Sequence, residues 1–138
     1  MNVKENVVFE GWQNVTLFPS FIKASEVCIS PLIRNRHHDT TYANKLFQYM
    51  SIGKPVVVSD CVAQKNLVNE TNCGLIHKAG DEKELAEKSI ELYKNPELRK
   101  QMGANGKRAV LEKYNWENTS KNLIKLYEKI ENDNINSS

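Results

Sequence analysis

Four short apolar runs, separated by stretches with a helical pattern, constrain the fold of this chain more than any other feature. They comprise residues 7–9 (VVF), 27–29 (VCI), 56–58 (VVV) and 74–76 (GLI). Short runs rich in β-branched residues are typical of parallel strands that are buried on both faces. Strands that alternate with helices favour right-handed crossovers and one parallel sheet. We therefore expect an α/β protein with a Rossmann-like parallel sheet of about four strands.

The helices of the first half are predicted from apolar spacing and from capping residues. A helix is expected over residues 17–24, with Thr16 as its N-cap and Pro19 in its first turn. A second is expected over 42–52 and ends at Gly53. Its apolar face contains residues at i, i+3, i+4 and i+7, namely Ala43, Leu46, Phe47 and Met50. A shorter helix is expected over about 63–70.

The second half of the chain is predicted to be helical. Asp81 and Glu84 form a capping-box pattern, and Asn95-Pro96 caps and begins the next helix, in which Gly103 and Gly106 suggest a bend. Two apolar faces are expected to pack inward: Ala86, Ile90 and Tyr93 in the first of these helices, and Trp116, Leu123, Tyr127 and Ile130 in the last. We expect one domain over residues 6–130 and a frayed polar tail over 131–138.

Composition excludes several functional classes. The 138 residues have a formal net charge of +2, which gives no argument for nucleic acid as the main partner. No apolar run approaches the length of a membrane helix or of a signal peptide. The cysteines Cys28, Cys61 and Cys73 are odd in number and lack metal-site spacing, so free buried thiols and a cytoplasmic location are expected.

The polar stretch after the second apolar run carries the candidate chemistry. Ligands of open α/β sheets bind at the carboxyl ends of strands, and helix N-termini attract phosphate. Here a polar loop leads into the helix predicted over 42–52. A nucleotide diphosphate fits such a site, and the candidate binding residues are His37, His38, Thr40, Thr41, Asn44, Lys45 and Gln48.

Simpler interpretations stand beside this one. Thr41, Asn44, Lys45 and Gln48 also fit the exposed face of an amphipathic helix. A metal site at residues 37–39 is disfavoured because adjacent residues seldom chelate one ion, and a solvated loop or contact with a donor phosphate is preferred. Asp60 follows a strand and fits either a ligand-side carboxylate or a turn residue.

Five segments in order resemble family 4 of the retaining glycosyltransferases, whose members have the two-domain GT-B architecture. They are NVVFEGW, SEVCISPL, KLFQYMSIGKPVVVSD, NETNCGLIH and the helical stretch of residues 81–118, which contains NPELR and Tyr-x-Trp. The similarity covers about residues 6–130. It implies the C-terminal, donor-binding half of a GT-B enzyme in glycan or polysaccharide biosynthesis, which takes a nucleotide diphosphate sugar and needs neither metal nor cofactor.

The resemblance also implies roles and partners. Gln48 would hold the ribose, Lys45 and the Thr40–Thr41 turn the phosphates, and Asn44 would orient the donor, which His37 and His38 approach. The family's sheet has six strands ordered 3-2-1-4-5-6, and this chain would hold only the third to the sixth. An N-terminal acceptor domain would be a separate partner, with peripheral membrane association through that domain and self-association of this chain as further expectations.

The sequence departs from the family at two positions. The family's paired glutamates fall on Thr40 and Gln48, and Asn66 also stands where many members have Glu. Gln48 can still bridge ribose hydroxyls without charge, whereas Thr40 cannot stabilise positive charge. A non-catalytic nucleotide-binding or protein-interaction remnant is therefore the alternative to an active enzyme, and no catalytic residue is assigned.

Overall fold

The computed structural model describes residues 3–135 and contains a parallel sheet of three strands in the order β1-β2-β3. The strands are β1 (Cys28–Ser30), β2 (Val56–Ser59) and β3 (Gly74–His77). In the register, Ile29 lies opposite Val57, and Val57 lies opposite Leu75. The helices are α1 (Phe18–Ala24), α2 (Arg36–Thr40), α3 (Asn44–Ile52), α4 (Val62–Thr71), α5 (Glu82–Lys94), α6 (Pro96–Glu112) and α7 (Trp116–Ile135).

The predicted strand at residues 7–9 is absent, so the expectation of four strands is wrong. The backbone at Val7 is extended, but residues 7–10 belong to no regular element, and Val8 and Phe9 are exposed. A strand exists only through hydrogen bonds to a neighbouring strand, and within residues 3–135 the sheet does not extend to this segment. The other three strands pair with one another as the fourth to the sixth strands of the family's sheet would.

The core lies where α1, α3, α4 and α6 cover one face of the sheet. Val56 and Val58 point to this face and are fully buried with Leu46, Met50 and Leu67. The inward face predicted for α3 is confirmed, since Ala43 and Phe47 pack against the same cluster. The three cysteines are free and buried, as expected. Burial raises the pKa of the Cys28 thiol to about 11, which keeps it unreactive.

The helix ends show how the local sequence starts and stops each element. Asn14, rather than Thr16, is the capping residue: its side chain accepts from the amide of Thr16 and caps the 3-10 turn Val15–Leu17, which leads directly into α1. Gly53 ends α3 in the left-handed conformation, with φ of 82°. Asp81 caps α5 as predicted, but the carboxylate of Glu84 accepts from the amide of Lys78 and not from that of Asp81.

The two glycines of α6 serve close packing within one uninterrupted helix from Pro96 to Glu112. A Cβ atom on Gly103 would lie 2.0 Å from the carbonyl oxygen of Gly53, and one on Gly106 would lie 3.1 Å from side-chain atoms of Met50 and Cys73. Only glycine allows α6 to approach the end of α3 so closely.

Two predicted apolar faces do not pack inward. In α5, Ile90 and Tyr93 are exposed and Leu92 is fully buried, because α5 packs on β2 and β3 through the neighbouring face that carries Leu92. In α7, the face that we expected in the core is exposed from Trp116 to Ile130. The helix continues to Ile135, so residues 131–135 of the expected tail are helical, and residues 136–138 lie outside the described part.

No helix within the described residues combines the length and the apolar character that a membrane-spanning segment requires.

Candidate functional site

The candidate site surrounds the N-terminus of α3, at the carboxyl ends of the strands. Because β1 and β2 are parallel and α3 connects them, the first turn of α3 lies at the edge of the sheet where β1 ends. The residue before α3, Ala43, supplies no side-chain cap. The amide of Leu46 donates to the carbonyl of Ala43, whereas those of Asn44 and Lys45 have no partner among the described residues and are open to an anionic ligand.

A short helix that the sequence did not predict occupies the expected loop. Asn35 begins α2 and accepts a hydrogen bond from the amide of His38 at 2.8 Å. The ring of His38 contacts the carbonyl oxygen of Ile33 at 2.7 Å, and His37 lies beside it with 5.5 Å between ring centroids. The hydroxyl of Thr40 donates to the carbonyl of Arg36, one turn earlier. Thr40 is thus engaged with its own helix, while Thr41 is exposed at the end of α2.

Asp39 holds α2 against the start of α4. One carboxylate oxygen accepts from the amide of Val62 at 2.9 Å, and the other pairs with Arg34 at 3.2 Å. The Val62 amide and then the Arg34 guanidinium lower the pKa of Asp39. The N-terminus of α4 is therefore filled by a carboxylate of the chain itself, whereas that of α3 is not. Sequence reasoning assigned no role to Asp39, because nothing in the local pattern indicates a contact across 23 residues.

Lys45 lies in the first turn of α3 and is half-buried. Burial lowers its pKa, and among the described residues no carboxylate lies within ion-pair distance of its ammonium group. Asn44 and Gln48 lie on the same helix with exposed side chains that make no hydrogen bond within the described part of the chain. A partly desolvated ammonium with no counter-ion, at an uncapped helix N-terminus, is suited to phosphate.

A buried polar network lies beneath the loop that carries α2, and no sequence pattern indicated it. The hydroxyl of Ser59 accepts from the amide of Leu32 and from the side chain of Gln64, each at 3.1 Å. Asp60 accepts from the amide of Ala79 at 2.9 Å, so its carboxylate joins two loops that are far apart in the sequence. These bonds fasten the loops after all three strands to one another and so fix the frame of the site.

The family model described as "Glycosyl transferases group 1" matches residues 1–95, so the chain belongs to this family. An uncharacterized glycosyltransferase of Methanocaldococcus jannaschii is 25% identical over 94% of this chain and 32% of its own length. Phosphatidyl-myo-inositol mannosyltransferase of Mycobacterium leprae is 32% identical over 62% of this chain and 22% of its own length. The chain thus spans about a third or less of the length of these curated relatives.

A solved structure shows the same fold. Sucrose-phosphate synthase of Thermosynechococcus elongatus superimposes with a TM-score of 0.82 over 94% of this chain and 31% of that one, at 22% identity. The three-stranded parallel sheet and the long C-terminal helix of this chain match the C-terminal half of a GT-B fold. The resemblance drawn from the five sequence segments is confirmed.

Proposed function

We propose that this chain is the donor-binding part of a glycosyltransferase and binds a nucleotide diphosphate sugar at the N-terminus of α3. The observation that carries the proposal is the half-buried ammonium of Lys45, which has no carboxylate partner among the described residues and lies beside an uncapped first turn. A diphosphate there would gain a charge-assisted hydrogen bond and the positive end of the helix dipole.

Each candidate residue has a role in this proposal. Lys45, the first amides of α3 and the exposed turn at Thr41 face the diphosphate, and Asn44 orients it. The free carboxamide of Gln48, one turn along α3, both donates to and accepts from the ribose hydroxyls. His37 and His38 approach the sugar from α2. Thr40 contributes least, because its hydroxyl is bonded within α2.

The proposed reaction would be performed by a longer enzyme, of which this chain supplies the donor-binding part. The complete enzyme would transfer the sugar to a hydroxyl acceptor with retention at the anomeric carbon, and an N-terminal domain would hold the acceptor and any contact with a membrane surface. The length of the relatives supports this, because the match covers only 32% of the glycosyltransferase of Methanocaldococcus jannaschii. Helix dipoles and basic groups would stabilise the leaving diphosphate.

A second candidate is a module that binds the nucleotide without catalysis. It is favoured by the two positions at which the family's glutamates are replaced, Thr40 and Gln48. Without a carboxylate there, developing positive charge on the donor sugar has no counter-charge from these positions. Both candidates share the donor site and differ in turnover, which an assay with the N-terminal domain present would separate.

Amide hydrogen exchange tests the donor site. UDP- or GDP-sugars should protect the amides between Thr41 and Gln48 more strongly than UMP, GMP or sulfate does. The first turn of α4 is a matched control within the same chain, because Asp39 already fills it. Equal protection by sulfate and by nucleotide sugars would reduce the site to a generic helix N-terminus and contradict the proposal.

A further inference from the structure

A concave surface lies between the first turn of α3 and the turn that joins α6 to α7. Its volume is about 780 Å³. Pockets that bind small molecules usually measure about 300–1,000 Å³, so this groove has the size of a ligand site. It shares Asn44 with the proposed donor site, and Phe47 also belongs to α3, but most of its lining comes from the end of α6, the turn after it and the first half of α7.

Three aromatic rings form one wall of the groove, and a fourth stands at its edge. The rings of Tyr42 and Phe47 meet edge to face with 5.8 Å between centroids, and Tyr114 lies 5.5 Å from Phe47. The hydroxyl of Tyr114 donates to Glu70 at 2.9 Å, which fixes the orientation of its ring. Trp116 also lines the groove and is 72% exposed, so a large part of its indole is open to a ligand.

Four asparagines of the lining supply carboxamides to the groove. The side chains of Asn44 and Asn122 make no hydrogen bond within the described residues, so each offers donors and an acceptor. The charged groups of the lining are Glu112 and Lys113, and Lys113 already forms an ion pair with Glu70. A phosphorylated ligand would therefore meet a free carboxylate and no free cation, and the groove favours a neutral one.

We propose that this groove binds a neutral saccharide. The C–H faces of a pyranose stack on aromatic rings, and its hydroxyls, which donate and accept, match the free carboxamides. A nucleobase also stacks on such rings, but a nucleotide brings phosphates for which the groove has no counter-charge. The inference goes beyond the donor site, since it concerns another surface and a ligand without phosphate.

Trp116 can report binding in the groove, and Trp12 can serve as the internal control. It has two tryptophans, and Trp12 lies outside this groove with 99% of its side chain exposed. Maltose, cellobiose and N,N′-diacetylchitobiose are titrated separately while the two indole N–H signals are followed by NMR, with Trp12→Phe to assign them. At least one disaccharide should shift the Trp116 signal saturably in the millimolar range and leave the Trp12 signal in place.

Two variants make the test specific. Asn122→Ala should weaken the response of Trp116 about tenfold, whereas Tyr127→Ala, which removes an exposed ring of α7 outside the groove, should leave it unchanged. Because no nucleotide is present, failure here does not bear on the donor site. The proposal is overturned if no disaccharide gives a saturable shift, if both indoles shift alike, or if glycerol produces the same change.

Discussion

At the scale of single residues, the polar side chain of Gln48 makes no interaction among the described residues that would stabilise the fold. It is exposed on α3 and makes no side-chain hydrogen bond there. Gln48→Ala should weaken donor binding by about 1–2 kcal/mol, the usual contribution of hydrogen bonds in a desolvated site. The free energy of unfolding should hardly change. Calorimetric titration with a UDP- or GDP-sugar and urea unfolding would measure the two effects.

Gln48→Glu is the matched variant, because it restores the family's carboxylate at the same size. It should keep or improve donor affinity, since a carboxylate accepts from both ribose hydroxyls. A large loss of stability in Gln48→Ala, with donor binding unaltered, would instead show that this side chain is structural.

Lys45 is the residue at which stability and binding should move in opposite directions. Because burial lowers its pKa, the charged form is less favourable in the folded chain than in the unfolded one. Lys45→Met should therefore raise the free energy of unfolding slightly at neutral pH. This gain should shrink as the pH rises through the lowered pKa, where Lys45 of the unchanged chain loses its proton in the folded state.

The same substitution should weaken binding of the donor. Lys45→Met should cost about 1.5–3 kcal/mol of affinity for a nucleotide diphosphate, the range for hydrogen bonds to charged groups. Lys65→Met provides the control, because Lys65 is exposed on α4 and its substitution changes the net charge equally. If both variants weaken binding alike, the effect comes from the overall charge and Lys45 makes no specific contact.

At the scale of elements, the contact between α3 and α6 depends on a missing side chain. Replacement of an exposed glycine within a helix by alanine normally raises the free energy of unfolding by about 1 kcal/mol. Gly103→Ala should do the reverse and lower the free energy of unfolding by about 1–3 kcal/mol, because its Cβ would lie 2.0 Å from the backbone oxygen of Gly53. Thermal and urea unfolding would give the size of the change.

Gly106→Ala serves as a comparison for Gly103→Ala. Its Cβ would meet side-chain atoms of Cys73 and Met50 at 3.1 Å, and these can shift by a few tenths of an ångström. The loss should therefore be smaller than for Gly103→Ala. Stabilisation by Gly103→Ala would mean that α6 does not approach α3 as closely as described.

At the scale of the whole molecule, apolar surface is concentrated on elements that lack cover. Phe9 and Trp12 precede α1, Ile29 is 45% exposed on β1, and α7 presents an apolar face from Trp116 to Ile130. The free edge of β1 also carries unpaired backbone groups. Exposed patches and strand edges of this kind promote association.

The 138-residue chain should therefore be marginally stable or self-associate, and under the proposed function it should show no transferase activity without the proposed N-terminal acceptor domain. Sedimentation velocity over a range of concentrations, thermal melting and a transfer assay would measure the three properties. Leu126→Glu on α7 should reduce association, since it places a charge among the exposed apolar side chains. A stable monomer that turns over a nucleotide sugar would contradict this prediction.

Local patterns were sufficient wherever the decisive interaction lies within a few residues. Spacing predicts the three strands and the inward face of α3. Side chains and glycines that act within their own turn predict the αL end of α3 at Gly53 and the caps at Asp81 and Asn95. The family membership was also evident from the order of five short segments. Local hydrogen bonds and helical periodicity involve residues that are close together in the sequence, so they can be predicted from it.

Tertiary structure decided what depends on partners far along the chain. Residues 7–9 have the composition of a strand but pair with no strand of residues 3–135. The apolar face of α7 has the period of a core helix but remains exposed. The engagement of Asp39 with α4, and the resulting contrast between a filled helix N-terminus and an open one at Lys45, arises across 23 residues. Burial and pairing are properties of the assembled surfaces, and a one-dimensional pattern specifies which face is apolar without specifying what covers it.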